Sequence, residues 1–276
     1  MTASTGIEPA SPRPKASNVE APRRAIAGGA ELFWTLVRTD FKARYHGTLS
    51  GFVWALLKPI SLFIVLMSVF SLVFASDPTY KLDLIIGLFL WDFFAESTKT
   101  GLTSLHVKGY LLTKARCPSW VLVVTSVANA LITLTVFCFV IVVFLAAAGH
   151  PPNLSALLLF AAYTLALIAI TIGISLATSV LFLKYRDLNQ VWDVIIQVGF
   201  FIAPIIYPLE IIPEQYHRYL FLWPPTVIIE FARSVLIGPN WPTATAHLYL
   251  ALEVMLILLA GALIFRRLSP RAAELL

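Results

Sequence analysis

The sequence predicts an all-α polytopic membrane protein with six transmembrane helices. Of its 276 residues, 59% are hydrophobic and only 13% are charged, whereas soluble domains carry about 25% charged residues. The mean hydropathy is +0.83, and several windows reach the roughly 20 apolar residues that cross about 30 Å of hydrocarbon. Basic residues cluster at the ends of these windows, as membrane orientation requires. These observations exclude an ordinary water-soluble domain.

The chain before the first span divides into two parts. Residues 1–28 are rich in Pro, Ala, Ser and Arg without an apolar core, so they predict a disordered cytoplasmic tail and no cleaved signal peptide. Residues 29–50 predict an amphipathic helix on the cytoplasmic face, with Arg38 and Lys42 on its polar stripe. Asp40 and Arg44 are four apart and can pair on the helix surface. A simple juxtamembrane anchor explains this segment equally well.

Residues 29–276 form one predicted membrane domain. Lys58 lies early in the first span, where its stem can snorkel to the headgroups, and Pro59 is expected to kink that helix. The stretch 210–246 is broken by proline and charge, and predicts short re-entrant helices at the outer membrane face. The six spans are placed at about 52–74, 83–105, 119–148, 155–183, 191–209 and 247–266.

The distribution of basic residues predicts the orientation. Of the 20 Lys and Arg residues, only Lys81, Arg218 and Arg233 fall on the predicted external side, and Lys58 lies within a span. The other basic residues lie in predicted cytoplasmic segments or, for Lys99, in the cytoplasmic half of the second span, so both termini are expected in the cytoplasm. The same placement explains the net charge of +5 without nucleic-acid binding.

No catalytic or cofactor-binding motif is present in the sequence. The fragment closest to a phosphate-binding loop, "GYLLTKA", has one glycine, so the chain is not expected to bind or hydrolyse ATP. The five histidines share no helical face, and the two cysteines make no metal framework. The chain is therefore expected to be neither an enzyme nor a metal protein.

Charged and aromatic side chains within the predicted spans are the remaining candidates for function. Asp92, Glu96 and Lys99 share a helix face, where they either neutralise one another or face a wet cavity. Aromatic rings present flat faces to sugar rings if they line a passage, although such stripes more often pack or contact lipid. The predicted channel-lining residues are Trp91, Phe93, Phe94, Phe200 and Phe201.

The order of several motifs resembles a known family. "DFKARYHGTLSGFVWALLKP" resembles its entry helix and first span, and "GLFLWDFFAESTKTGLTSL" its second. "GYLLTKARCPSW" and "KYRDLNQVWDVIIQ" resemble its two cytoplasmic coupling segments, "APIIYPLEIIPEQYHRYL" the exit of its fifth span, and "PTVIIEFARSVL" its external gate helix. The chain is thus similar to the permease of type 2 ABC exporters, in the polysaccharide-export branch with O-antigen, teichoic acid and galactan permeases. Cys117 before Pro118, and Pro224-Pro225, depart from the usual pattern.

The resemblance implies partners, cargo and site residues. It implies a homodimeric channel in membrane lipid, with two nucleotide-binding ABC ATPase subunits that bind the ATP and magnesium. The cargo would be a polyprenyl-pyrophosphate-linked polysaccharide moved outward. The residues implied for ATPase coupling are Arg38, Lys42, Lys114, Arg116, Pro118, Tyr185, Arg186 and Asp187; those for a pyrophosphate entrance are Lys42, Arg44 and Lys58; those for an external gate are Pro204, Tyr207, Pro208, Glu230 and Arg233.

Three other functions remain open at this point. An exporter of a drug or small lipid would share the scaffold and the coupling segments. A polyprenyl-dependent glycosyltransferase would also be polytopic, but it needs an acidic catalytic cluster in a loop. A scaffold for envelope assembly would show no ATP-dependent movement.

Overall fold

The computed structural model describes residues 29–45, 51–74, 77–115 and 118–272, and every regular element in these ranges is helical. The all-α prediction is therefore confirmed for the described chain. The tail 1–28 and residues 46–50 of the predicted interface helix lie outside it. The elements are α1 (Gly29–Tyr45), α2 (Gly51–Val73), α3 (Tyr80–Ala115), α4 (Ser119–Ala147), α5 (Leu154–Lys184), α6 (Leu188–Ile202), a 3-10 turn (Leu209–Ile211), α7 (Glu214–Leu220), α8 (Pro224–Leu236) and α9 (Ala244–Ala272).

Four of the six predicted spans coincide with helices long and apolar enough to cross a membrane. These are α2, α4, α5 and the part of α9 that ends at Pro270. Helix α3 has 36 residues, but its polar residues, including Asp92, Glu96 and Lys99, interrupt the apolar run. Helix α6 has only 15 residues, which at about 1.5 Å per residue falls short of a bilayer core.

The predicted fifth span, 191–209, is not one continuous helix. Helix α6 ends at Ile202, and Ala203 has extended backbone angles, with φ −69° and ψ 129°. The cause is Pro204, because a proline disfavours helical geometry in the residue before it and lacks an amide donor of its own. The chain then runs irregularly to the 3-10 turn. Helix α3 continues to Ala115, ten residues beyond the end predicted for the second span.

Helix α3 forms the centre of the bundle. Residues 84–90 are all buried, and the helix packs against α2, α4, α5, α6 and α8. Helices α5 and α9 pack backbone against backbone at Gly173 and Gly261, where a Cβ on Gly261 would lie 2.7 Å from the carbonyl carbon of Gly173. Such small residues let membrane helices pack backbone to backbone. Helix α2, by contrast, buries only Pro59 and Phe63.

Helix α1 is held to the bundle and does not simply lie on a surface. It packs against α4, and its Val37 is buried. Phe33 and Leu36 of α1 contact an apolar cluster that contains Leu122 of α4 and Leu183 of α5. These contacts bring α1, the second half of α3, the start of α4, and the ends of α5 and α9 together at one end of the molecule, called here the α1 end.

Candidate functional site

The guanidinium of Arg233 organises the end of the molecule opposite α1. Arg233 lies on α8, and its side chain is 7% exposed. Its Nη1 donates to Glu230 Oε1 at 2.7 Å and to the Pro204 carbonyl at 2.6 Å. The Asp83 carbonyl accepts from Nε at 3.0 Å and from Nη2 at 2.8 Å, and the Ile205 carbonyl accepts from Nη2 at 3.2 Å. We call Arg233 with Glu230, Asp83, Pro204 and Ile205 the Arg233 site.

The Arg233 site joins three parts of the chain. It links α8, the start of α3 and the irregular segment after α6, and the Asp83 carboxylate adds an ion pair with Nε at 3.7 Å. Gly87 makes room for the guanidinium, since a Cβ there would lie 2.7 Å from Nη2. Burial raises the pKa of Glu230, and the neighbouring Arg233 opposes that rise. The local pair expected from the spacing of Glu230 and Arg233 is therefore present, but it is one contact of several.

A cavity of about 640 Å³ opens beside the Arg233 site. It lies between the start of α3, the segment after α6, and α8. Tyr80 closes one side by donating its hydroxyl to the Ile206 carbonyl at 2.8 Å, and Tyr207 donates to the Phe201 carbonyl at 2.7 Å. Its polar and aromatic walls include Phe74, Asp77, Thr79, Tyr80, Asp83, Tyr207, Glu210, Glu230, Arg233 and Asn240.

The predicted gate residues come together at this cavity. Tyr207, Pro208, Glu230 and Arg233 line it, and Pro204 contributes the carbonyl that Arg233 binds. Sequence reasoning missed Asp83, which the prediction treated only as the first residue of a span. The signal available in the sequence was Arg233 itself, because an arginine at membrane depth needs hydrogen-bond acceptors from residues at the same depth.

The aromatic residues predicted to line a channel divide into two groups. Trp91, Phe93 and Phe94 are buried, and Trp91 and Phe94 pack against Trp223 with ring centroids 6.4 and 6.0 Å apart. They fall on faces of α3 that neighbouring helices of the same chain cover, which favours a packing role, and their place in a passage stays a prediction. Phe200 is half-buried, and only Phe201, at 60%, is largely exposed.

A second polar cluster lies at the α1 end, around Lys108 of α3. Its Nζ forms an ion pair with Asp40 of α1 and donates to Ser126 Oγ of α4 at 2.7 Å. Thr125 and Asn129 of α4 complete the set, at 3.4 Å from Nζ and 3.5 Å from the Asp40 carboxylate. We call these five residues the Lys108 cluster. It fastens α1 to the bundle by contacts that the amphipathic pattern alone did not predict.

Asp40 and Lys99, each expected to pair within its own helix, have ion-pair partners on other helices. Asp40 pairs with Lys108, whereas the Arg44 side chain that was expected to meet it lies outside the described part of the chain. Lys99 forms an ion pair with Asp193 of α6, an interaction that the expected neutralisation of Glu96 by Lys99 did not include. A sequence signal for the cluster did exist, because Thr125, Ser126 and Asn129 share one face of an otherwise apolar helix.

The predicted coupling residues are surface residues wherever their side chains are described. Arg38 and Lys42 on α1, Pro118 before α4, and Tyr185, Arg186 and Asp187 in the turn from α5 to α6 are all exposed. Arg186 lies over the Phe182 ring, with Cζ 5.5 Å from its centroid. The side chain of Lys114 and the whole of Arg116 fall outside the described residues. At the predicted pyrophosphate entrance, Lys42 and Lys58 are exposed.

The Arg233 site and the Lys108 cluster lie at opposite ends of α3. Asp83 and Lys108 both belong to this helix, and their separation of 25 positions corresponds to about 37 Å at 1.5 Å per residue. This separation slightly exceeds the roughly 30 Å of a bilayer core. One rigid helix therefore connects polar sites on what would be the two membrane faces.

Comparison with known proteins decides the family. A family model described as "ABC-2 type transporter" matches residues 31–237, which include both polar sites. The chain belongs to the ABC-2 type transporter family. For α1 and the turn at Tyr185–Asp187 of this ABC-2 type transporter, a role in ATPase coupling stays a prediction.

Named relatives of this ABC-2 type transporter match it over nearly their whole length. The O-antigen export system permease protein RfbA of Klebsiella pneumoniae is 28% identical over 249 residues, 89% of this chain and 95% of that protein. A protein of the same name from Myxococcus xanthus is 27% identical over 88% of this chain and 94% of its own. The polysialic acid transport protein KpsM of Escherichia coli is 22% identical, over 82% of this chain and 89% of its own.

Proposed function

We propose that this chain is the membrane-spanning permease of an ATP-driven exporter that carries a polysaccharide outward across the bacterial inner membrane. The observation that carries the proposal is the near full-length similarity to two proteins named as O-antigen export permeases. The family match and the four long apolar helices support a transport role in a membrane. An exporter of drugs or small lipids would share the family, but none of these relatives is named for such a cargo.

The permease would act with separate ATPase subunits. The exposed residues at the α1 end form a surface to which two nucleotide-binding subunits would dock, each supplying its own ATP and magnesium. Arg186 and Asp187 lie in a short turn between α5 and α6, so a displacement of this turn would move both helices. The Lys108 cluster would carry the same movement from α1 into α3 and α4, as a two-state change of packed elements.

A passage would form where two copies of the chain meet. Helix α6 exposes Gln190, Asp193 and Gln197 on the surface of one subunit, and their spacings of three and four place them on one helix face. Polar side chains at membrane depth usually face a water-filled space or a protein partner and not lipid. Phe201 continues this exposed surface toward the cavity, so an aromatic contact with sugar rings remains part of the proposal at this residue.

The entrance would receive a lipid-linked substrate at the α1 end. Exposed lysines at positions 42 and 58 present ammonium groups that attract a polyprenyl pyrophosphate. Arg44 belongs to the same proposed set. In this orientation both termini are cytoplasmic, and the cavity beside Arg233 opens on the outer side, where the gate residues would close the passage between substrates.

Depletion of the protein tests this function. Cells that lose an exporter should accumulate finished polyprenyl-linked glycan in the cytoplasmic leaflet, whereas an unchanged pool would contradict polysaccharide export. Re-expression of the wild-type chain should clear the pool. A glycosyltransferase or an assembly scaffold would not produce this pattern, because finished glycan would not build up behind either one.

Charge reversal at Arg186 separates coupling from folding. Arg186→Glu should reach the membrane in normal amounts, yet clear the glycan pool slowly and stimulate the ATPase weakly, since the changed residue lies in the proposed docking surface. Arg218→Glu provides a matched control, because Arg218 is exposed on α7 at the other end of the molecule. Equal clearance and ATPase stimulation by the two variants would contradict the role of Arg186.

A further inference from the structure

The cavity beside Arg233 has the size and the walls of a ligand site. Its volume of about 640 Å³ lies within the roughly 300–1,000 Å³ of small-molecule sites. Four carboxylates line it, on Asp77, Asp83, Glu210 and Glu230, together with the single cationic side chain of Arg233. The wall is therefore strongly acidic.

Arg233 has no donor left for a ligand. A guanidinium has five N–H groups, and here they meet Glu230, Pro204, Ile205 and, twice, the Asp83 carbonyl. A ligand carboxylate would have to displace one of these contacts. Protonation of the acidic residues would remove negative charge but would add no cation, so among the lining residues no free positive group appears in any protonation state.

The chemistry of the wall matches hydroxyl-bearing ligands. Carboxylates accept hydrogen bonds from hydroxyl groups through two oxygens each, and Asn240 adds an amide that donates and accepts. The rings of Phe74 and Tyr207 supply apolar surface of the kind that sugar rings contact. A metal ion is a poor alternative, because the described residues contain no group of three or more His, Cys, Asp or Glu side chains that could hold one.

We propose that this cavity binds neutral or amino-sugar units of the exported glycan, and that it selects against cargo with acidic sugars. The proposal rests on the polysaccharide export function above and narrows its substrate class. An acidic unit would bring a negative charge to a wall that holds four carboxylates and one arginine, so like-charge repulsion should weaken its binding. A hydroxyl at the same position would instead donate to one of them.

The glycan that accumulates on depletion tests the proposal directly. Sugar analysis of that polymer should find neutral or amino sugars and no uronic acid, sialic acid or phosphate in the repeat. An acidic repeat would overturn the selectivity while the export function stands. Absence of any accumulated polymer would instead count against the export function, so the two failures are distinguishable.

Binding of a matched pair of trisaccharides provides the second measurement. Galactotriose and trigalacturonate differ in their C6 groups, and saturation-transfer NMR can compare their binding to the full chain in nanodiscs. The neutral trisaccharide should bind at least about tenfold more tightly than the acidic one. Equal affinities, tighter binding of trigalacturonate, or no transfer to either trisaccharide would each overturn the proposal.

A charge reversal at the cavity locates the selectivity. Glu210→Lys adds a cation to the wall without touching the contacts of Arg233, so it should reduce the preference for galactotriose several-fold. Glu214→Lys is the control, because Glu214 is exposed nearby on α7 and does not belong to the cavity wall. A wild-type preference in Glu210→Lys, or the same loss in Glu214→Lys, would place the selectivity elsewhere and refute this site.

Discussion

Replacement of Arg233 by methionine tests whether one side chain holds α8, the start of α3 and the break after α6 together. The substitution keeps an unbranched apolar stem and removes all five donors. It leaves the Glu230 carboxylate, whose side chain is only 16% exposed, without its cation. It also removes the hydrogen bonds that the Pro204 and Ile205 carbonyls accept in the break after α6.

The expected loss can be estimated from the ion pair and the hydrogen bonds. Removing one partner of a buried ion pair costs about 3–5 kcal/mol, and a hydrogen bond to a charged group contributes about 1.5–3 kcal/mol. These terms overlap because the same guanidinium makes them, so the total should be near 4 kcal/mol. With a shift of about 2–4 °C per kcal/mol for chains of this order of size, the melting temperature should fall by about 8–16 °C.

Thermal unfolding in detergent measures the loss. Arg218→Met is the matched control, since this exposed arginine lies over the Tyr219 ring at 4.8 Å and should change stability by less than about 0.5 kcal/mol. Adding Glu230→Gln to Arg233→Met should recover part of the loss, because no uncompensated carboxylate then remains. A melting temperature for Arg233→Met within about 2 °C of the control, on the scale of less than 1 kcal/mol, would refute the structural role of Arg233.

Three further substitutions test other contacts between the helices. Lys108→Met should lower the free energy of unfolding by about 1–3 kcal/mol and make α1 sensitive to limited proteolysis, because Asp40 loses its cation; unchanged protection of α1 would contradict its attachment. Gly261→Ala should overpack the contact with Gly173 and destabilise the fold by about 1–3 kcal/mol. The higher helix propensity of alanine offsets about 1 kcal/mol of this loss, and a raised melting temperature would argue against the close approach. Phe94→Ala should cost about 3–5 kcal/mol of stability and reduce the yield of folded protein. A normal yield with slow export would instead favour a role of Phe94 in the passage.

The helical fold was largely predictable because it depends on local sequence. Long apolar runs predict α2, α4, α5 and α9 within a few residues, and hydrocarbon leaves such segments no alternative to helix. The end of α6 was missed although Pro204 marks it, because the apolar run continues past the proline. Hydropathy measures transfer into lipid and contains no term for backbone geometry. A proline inside a span does not by itself mark such a break, since Pro59 lies within the continuous helix α2.

The candidate site was less predictable because it depends on which helices meet. Arg233 and Glu230 are three apart, so their pairing follows from the helix repeat. The contacts to Asp83 and Pro204 join residues 150 and 29 positions away, and periodicity contains no information about them. The burial of Phe94 was not predictable for the same reason. An aromatic stripe shows which helix face is apolar, but not whether protein or a passage covers that face.

Helix α3 links the Arg233 site mechanically to the Lys108 cluster. Arg233 holds the first turn of α3 against α8 and the break after α6, while Lys108 holds its second half against α1 and α4. Because α3 is one continuous helix over the interval, a displacement of α1 by the proposed ATPase would move α3 largely as a unit. The displacement would then be expressed where the chain is irregular, and the irregular segment after Ile202 is the one that Arg233 binds. Movement at the α1 end would thus reach the acidic cavity as a shift of Pro204 and Ile205 relative to the guanidinium.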